Sequence, residues 1–203
     1  MKTTLLFLSV FLSVSLFGQN VYIPDANFKT CLLAFVNTNG DEEVQLSEAN
    51  EYDSGIDCSQ LNISDLTGIE AFTSLKYLDV KLNQLTSIDI SQNTALERIN
   101  IEYNQITSID VSQNTYLQDI FCNDNQLTSI DLSQNTSLRR LDCGNNQLTS
   151  LNLSLMPDLY KLWCYGNQLN CLNVANGNNL DFFFSIYTLD NPNLTCIEIE
   201  CDY

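Results

Sequence analysis

A mostly β repeat solenoid is the architecture written in this chain: 21-residue coils with short parallel strands, stacked behind a small helical N-terminal cap. Three features point there. From residue 85 to 168 the chain divides into consecutive 21-residue units with no gap. Within each unit apolar and polar residues alternate over a short stretch, as in a strand that buries one face. Each unit then carries an asparagine at the same offset, a residue suited to turning the chain. One coil cannot bury its apolar side alone, so neighbours must stack. The expected divisions are 1–18 for a leader, 19–55 for the cap, 56–190 for the solenoid and 191–203 for a C-terminal cap.

The leader comes first. Lys2 precedes an apolar run from Leu5 to Phe17 broken only by serines, and Gly18 offers a small residue for cleavage before Gln19. This is the pattern of a secretory signal peptide, so the mature chain is expected outside the cell or on its surface. The run is too short for a membrane span, and no later run approaches the ~20 apolar residues a span needs. The first cysteine is Cys31, which argues against a lipid anchor at the cleavage point. About 185 residues remain, enough for one domain. The full chain is 44% hydrophobic and 16% charged, which suits a folded body. The net charge of -17 repels nucleic acid and anionic lipid. The chain has no histidine, and so lacks the commonest general base and transition-metal ligand.

The cap follows. Residues 24–36 (PDANFKTCLLAFV) read as a helix, with Pro24 in the first turn and Asp25 complementing the helix dipole. Phe28, Leu32 and Phe35 or Val36 share the face that would plug the open end of the stack. The next twelve residues, NTNGDEEVQLSE (37–48), resemble a calcium-binding EF-hand loop. Asn37, Asn39 and Asp41 stand at its first, third and fifth positions, Glu43 at the seventh, Gln45 at the ninth and Glu48 at the twelfth. Two departures weigh against calcium: Asn37 lacks the usual charge, and Glu42 stands where the motif has glycine. The alternative is a polar turn. If calcium binds, the expected role is to stiffen the cap.

The repeats are the body of the chain. The unit LTSIDLSQNTSLRRLDCGNNQ (127–147) displays the pattern L-x-x-L-x-L/C-x-x-N-x-L in Leu138, Leu141, Cys143, Asn146 and Leu148. This is a leucine-rich repeat, and the fold expected is a leucine-rich-repeat solenoid. Asn83, Asn104, Asn125, Asn146 and Asn167 should form a ladder that satisfies turn backbone groups. The first half of each unit echoes the second, as in Ile106, Ile109, Val111 and Asn114, so both long sides of the coil are expected to be extended. A decayed unit covers roughly 169–190, and LTCIEI (194–199) repeats the opening of one more.

These units resemble the short leucine-rich repeats of secreted and surface proteins of Bacteroidota, which are similar to the internalin type. The phrases VYIPDANFKTCLLAFVNTNGDEEVQLSEAN and ISDLTGIEAFTSL share the resemblance. It implies fold and export strongly, and function only as binding in general. Members of that group often carry a C-terminal sorting domain for surface attachment, whereas this sequence ends at Tyr203.

Eight cysteines in an exported chain suggest disulfides. Cys122, Cys143 and Cys164 recur every 21 residues at an inward position and read as a buried column of small apolar groups. Cys58 falls in the same column at the first coil, and a bridge to Cys31 would pin the cap. A Cys171–Cys196 bridge is expected at the other end, with Cys201 as an alternative partner.

Outward side chains of the L-x-L strand define the candidate binding face. One row reads Asp79, Asn100, Phe121, Asp142, Trp163 and Phe184, and the next reads Lys81, Glu102, Asn123, Gly144, Tyr165 and Ile186. Tyr103, Tyr160 and Phe182 lie beside them. Phe121, Trp163, Tyr165 and Phe184 with these neighbours make an aromatic patch suited to a protein or glycan partner. The alternative is that the C-terminal segment covers these rings as a cap. Lys76, Lys81, Arg98, Arg139, Arg140 and Lys161 gather on the same face. Thr86, Thr107, Thr128 and Thr149 with Asp89, Asp110 and Asp131 read as turn-satisfying ladders on the other side. The functional expectation is a monomeric extracellular or cell-surface binding module without enzymatic activity. Alternatives are a structural segment of a larger adhesin and a carboxylate-based extracellular hydrolase.

Overall fold

The computed structural model describes residues 18–177 and 186–199. Of the leader expected at 1–18, residues 1–17 lie outside the described residues, as do Phe182 and Phe184. No helix among the described residues is long and apolar enough to cross a membrane.

The N-terminal end is closed by α1 (Ala26–Val36) and α2 (Leu46–Glu51). Pro24 lies outside α1, and Asp25 is the N-cap rather than a first-turn residue. One Asp25 oxygen accepts the Asn27 and Phe28 amides at 3.0 and 3.1 Å. The other accepts the Ser64 amide at 2.8 Å, tying cap to solenoid. Partial burial opposes ionisation of this carboxyl, but the bonds from Ser64, Phe28 and Asn27 outweigh it and hold its pKa below the ordinary value. Phe28, Leu32 and Val36 are buried in the core, as the helical spacing predicts. The Cys31–Cys58 disulfide is formed, with the Cα atoms 5.8 Å apart.

The solenoid carries a seven-stranded parallel front sheet. Its strands are β1 (Gly55–Asp57), β2 (Tyr77–Asp79), β3 (Arg98–Asn100), β4 (Asp119–Phe121), β5 (Arg140–Asp142), β7 (Lys161–Trp163) and β9 (Ile186–Tyr187). A smaller back sheet pairs β6 (Ser150–Asn152), β8 (Cys171–Asn173) and β10 (Cys196–Glu198). The core is a set of columns, each made of one residue per coil. Leu78, Ile99, Ile120, Leu141 and Leu162 form one, and Val80, Ile101, Cys122, Cys143 and Cys164 form the next. The back side departs from the expected fully extended echo. Segments 88–90, 109–111 and 130–132 pair with no neighbour, and strand pairing on that side is confined to the three C-terminal coils.

Asparagine ladders close both turns of the coil. Asn125 donates to the Ile101 and Cys122 carbonyls at 2.9 and 3.2 Å and accepts the Ile106 amide at 3.0 Å. Asn104, Asn146 and Asn167 repeat this pattern, each bonding its own coil and the one before. At the rear, Asn93, Asn114 and Asn135 are wholly buried and donate across coils in the same way. The residue just before each front asparagine takes the left-handed conformation: Leu82, Tyr103, Asp124, Asn145 and Gly166. The Asp89, Asp110 and Asp131 carboxylates each accept the amide two residues on at 2.9 Å, so this ladder serves its own turns.

The ladder also corrects the register of the last front coil. After Asn167 the next asparagine in that role is Asn191, which donates to the Cys164 and Thr188 carbonyls and accepts the Leu169 amide. That coil is therefore 24 residues long, three more than the repeat. Ile186 pairs with Leu162 and Tyr187 with Trp163. The expectation that Phe184 follows Trp163 on the face, with Ile186 outward, is overturned: Tyr187 holds that place, and Ile186 packs against the core.

Candidate binding face

The outward side of the front sheet is divided by charge. At the strand starts, Asp119 on β4 sits between Arg98 on β3 and Arg140 on β5. It accepts Arg98 Nε at 2.9 Å and Arg140 Nε at 2.6 Å, with a second contact to the Arg140 guanidinium. Burial opposes ionisation of Asp119, but the two arginines prevail and hold its pKa below the ordinary value. Each cation of this row also covers a ring: Arg98 over Tyr77 at 5.6 Å, Arg140 over Phe121 at 5.5 Å and Lys161 over Trp163 at 5.4 Å. Lys81 lies 3.9 Å from Asp79. The cationic cluster seen in the sequence is thus largely spent on neighbours within the face.

The strand ends are acidic. Asp142 accepts the Gly144 amide at 3.1 Å, but its burial, with Glu102 and Asp124 adding like charge, pushes its pKa up to about 6. Burial also raises Glu102. Tyr103 is raised chiefly by the Asp124 charge, and Tyr165 by burial and then by Asp142 and Asp124. Gly144 makes room for Tyr165: a Cβ there would stand 2.5 Å from the ring.

The C-terminal end of the face is aromatic. Trp163 and Tyr187 stack with centroids 6.0 Å apart and planes 11° from parallel. Tyr187 is 51% exposed and Leu189 74%. The Gly166 amide bonds the Leu189 carbonyl, which sets Leu189 beside the turn that follows Tyr165. Of the residues expected to form the patch, Trp163 and Tyr165 occupy successive outward positions on one coil. Phe121 stands two coils away under Arg140, and Tyr160 is an exposed neighbour of Lys161. Tyr103 is also exposed but belongs to the acidic side. Tyr187 and Leu189 were missed, although Asn191 signals their register.

The acidic loop of the cap is built as a self-bonded turn. Asn37, Asn39 and Asp41 each accept a nearby amide, from Gly40, Asp41 and Glu43, at 2.9–3.0 Å. Asp41 also accepts from the Gln45 side chain, and Glu48 accepts from Thr38 and the Gln45 amide. Burial opposes ionisation of Glu48, but these bonds outweigh it and lower its pKa. Glu42, at the position where an EF-hand has glycine, adopts φ 62°. Asn39, Asp41 and Glu48 line one open cleft of 690 Å³, without Asn37 or Glu43, and the Glu43 side chain pairs with Lys29 at 2.8 Å. The side-chain oxygens of Asn37, Asn39, Asp41, Glu43 and Glu48 thus each accept from a protein donor.

Cys122, Cys143 and Cys164 form the buried column of thiols that the repeat predicts. Burial raises all three, Cys164 to about 12. The expected Cys171–Cys196 bridge is not formed. Both residues are thiols, in register on β8 and β10, and a hydrogen bond with Cys196 pushes the Cys171 thiol up to about 11.

No family model matches the chain, and no curated protein matches it either. Solved structures do. The functional domain of InlJ from Listeria monocytogenes, described as including a cysteine ladder, is 31% identical with a TM-score of 0.70. That match covers 78% of this chain and 39% of the InlJ chain, so this chain spans well under half of that relative. The internalin InlF of L. monocytogenes is 18% identical with a TM-score of 0.53, over 92% of this chain and 73% of InlF. Internalin C2 of the same species is 18% identical with a TM-score of 0.55, over 90% of this chain and 91% of its own. In fold, this chain is a leucine-rich-repeat solenoid similar to the internalins.

Proposed function

We propose that this chain is an extracellular or cell-surface binding module, not an enzyme, that recognises a protein partner through the C-terminal half of its strand face. The observation that carries this reading is the Trp163–Tyr187 stack, bordered by Lys161, Tyr165 and Leu189 at the end of a sheet whose charged residues are largely ion-paired and whose Phe121 ring lies under Arg140. Large rings with a polar edge are favoured anchors because they bury much area at little entropic cost. The likeness to internalins supports a binding role by analogy of fold. Export rests on the leader sequence at 1–18 and on the resemblance to surface repeats. The hydrolase alternative has less support: Asp119 is held by two arginines, and Asp89, Asp110 and Asp131 hold their own turns.

Trp163 is the only tryptophan in the chain, so its fluorescence reports on the site itself. Candidate surface proteins titrated onto the mature chain should shift that emission. Trp163→Ala should weaken capture at least tenfold, about 1.4 kcal/mol, with the melting temperature unchanged. Unfolding of Trp163→Ala would mean that the rings form a cap. Unimpaired capture by a folded variant would place the partner site elsewhere, as for a structural segment of a larger adhesin. A second reading, a glycan partner, is favoured by the near-parallel rings of Trp163 and Tyr187. It requires binding on a glycan array that Trp163→Ala removes.

A further inference from the structure

Away from the strand face, the end of the back sheet gathers two thiols and a carboxylate. Cys171 begins β8, Cys196 begins β10, and the two are paired in register. Leu172, between Cys171 and Asn173, is buried in the core, so Cys171 belongs to the outward row of its strand. Cys196 and Glu198 stand two residues apart and share one side of β10. The two sulfurs and a Glu198 carboxylate oxygen all lie within 4.8 Å of one another. Both cysteines are half-buried and Glu198 is exposed, so the group is open to solvent. The inward column of Cys122, Cys143 and Cys164 differs on each count: it is sealed in the core.

We propose that Cys171, Cys196 and Glu198 form a binding site for a thiophilic divalent cation, with zinc the best fit. Tetrahedral zinc holds its sulfur ligands at about 2.3 Å, which sets two sulfurs roughly 3.8 Å apart. Neighbouring parallel strands are about 4.8 Å apart, so in-register cysteines reach that separation by side-chain rotation alone. A carboxylate oxygen completes three protein ligands, and the fourth position is open to water. Two thiolates select a borderline-soft ion such as zinc over calcium or magnesium, which prefer oxygen. Three ligand charges and a chain net charge of -17 favour a dication over an anion. Binding forms two zinc–sulfur bonds, breaks two S–H bonds and releases two protons, with no change of oxidation state. The same two sulfurs could instead be joined by an external oxidant into a disulfide, and the experiment separates these outcomes.

The mature chain carrying Cys201→Ser is titrated with cobalt(II) and then zinc. Cobalt should produce a thiolate-to-metal charge-transfer band, and one equivalent of zinc should remove it. Zinc should also protect two thiols from alkylation. Cys171→Ser and Cys196→Ser should each abolish the band. Glu198→Gln, at an exposed position, should fold normally and bind zinc roughly tenfold more weakly. A Cys171–Cys196 disulfide in the secreted chain would overturn the proposal. Zinc stoichiometry unchanged in both cysteine variants would overturn it equally.

Discussion

At the scale of single residues, the face distinguishes side chains kept for their oxygen from those kept for their charge. Asp79, Asn100 and Asp142 occupy one outward row, and each accepts the amide two residues on at 3.1 Å. Asparagine performs this task at position 100, so the turn needs an acceptor and not an anion. Asp142 is nevertheless a carboxylate, pushed up to about 6 by burial and by Glu102 and Asp124. The folded chain therefore holds this proton more tightly than the unfolded chain, whose aspartate titrates near 3.8. Stability linked to Asp142 is full below the unfolded value and is lost as pH rises through about 6. Asp142→Asn should accordingly stabilise the chain at about pH 7.5 and leave it unchanged at about pH 3.5. Solvent at its exposed side screens the penalty, so the gain should be about 1 kcal/mol. Urea midpoints at the two pH values check this, and lower stability of the variant at both would mean that the charge has a favourable partner. The row itself is legible in the sequence. The shift is not, because it depends on Glu102 and Asp124, which come close to Asp142 only once the coils stack.

At the scale of elements, the two asparagine ladders carry different loads. Asn125 serves four backbone groups, whereas Asn114 donates to the Ile90 and Asn93 carbonyls and leaves its own Oδ1 without a partner. Asn125→Ala orphans the buried Ile106 amide, while the Ile101 and Cys122 carbonyls keep the side chains of Asn104 and Asn146, and should cost about 2 kcal/mol. Asn114→Ala orphans no backbone group, because the Ile90 and Asn93 carbonyls keep the Asn93 and Leu96 amides, and it also removes an unbonded buried oxygen, so it should cost less, about 1 kcal/mol. Met156, buried at the equivalent rear position, indicates that an apolar occupant is tolerated there. Equal losses in chemical denaturation would contradict the distinction. Both ladders can be read from the sequence, because an asparagine at a fixed offset fixes the coil. Strand pairing on the back side cannot, since 87–89 and 150–152 share the same polar–apolar–polar alternation and only the latter pairs. The last front coil was misplaced for a related reason. An aromatic run fits several registers, and only Asn191, through its bonds to Cys164, Thr188 and Leu169, reveals the 24-residue spacing that sets Tyr187 beside Trp163.

At the scale of the whole molecule, each coil touches only its neighbours, so stability is close to a sum over coils and their junctions. Removing residues 106–126 deletes one complete 21-residue unit and leaves every remaining residue in register. Ile99 would then meet Leu141, Ile101 would meet Cys143, and Asn146 would find the Ile101 carbonyl in place of that of Cys122. The shortened chain should fold and melt cooperatively at a lower temperature. One junction would be poor. Asp119 leaves with the deleted unit, so Arg98 and Arg140, now separated by that carboxylate, become direct neighbours. Salt should therefore raise the melting temperature of the shortened chain more than that of the parent, because it screens the new repulsion. Removing only 106–115 should prevent folding, since half a coil brings the front turn of one unit onto the rear turn of the next. Circular dichroism melts at low and high salt test both expectations, and an unfolded 106–126 deletion would refute the additive picture. The same variant also bounds the binding face. It loses Phe121 but keeps Lys161, Trp163, Tyr165, Tyr187 and Leu189, so a partner held by the C-terminal rings should still be captured. A partner lost with Phe121 would mean that recognition extends at least two coils further toward the cap.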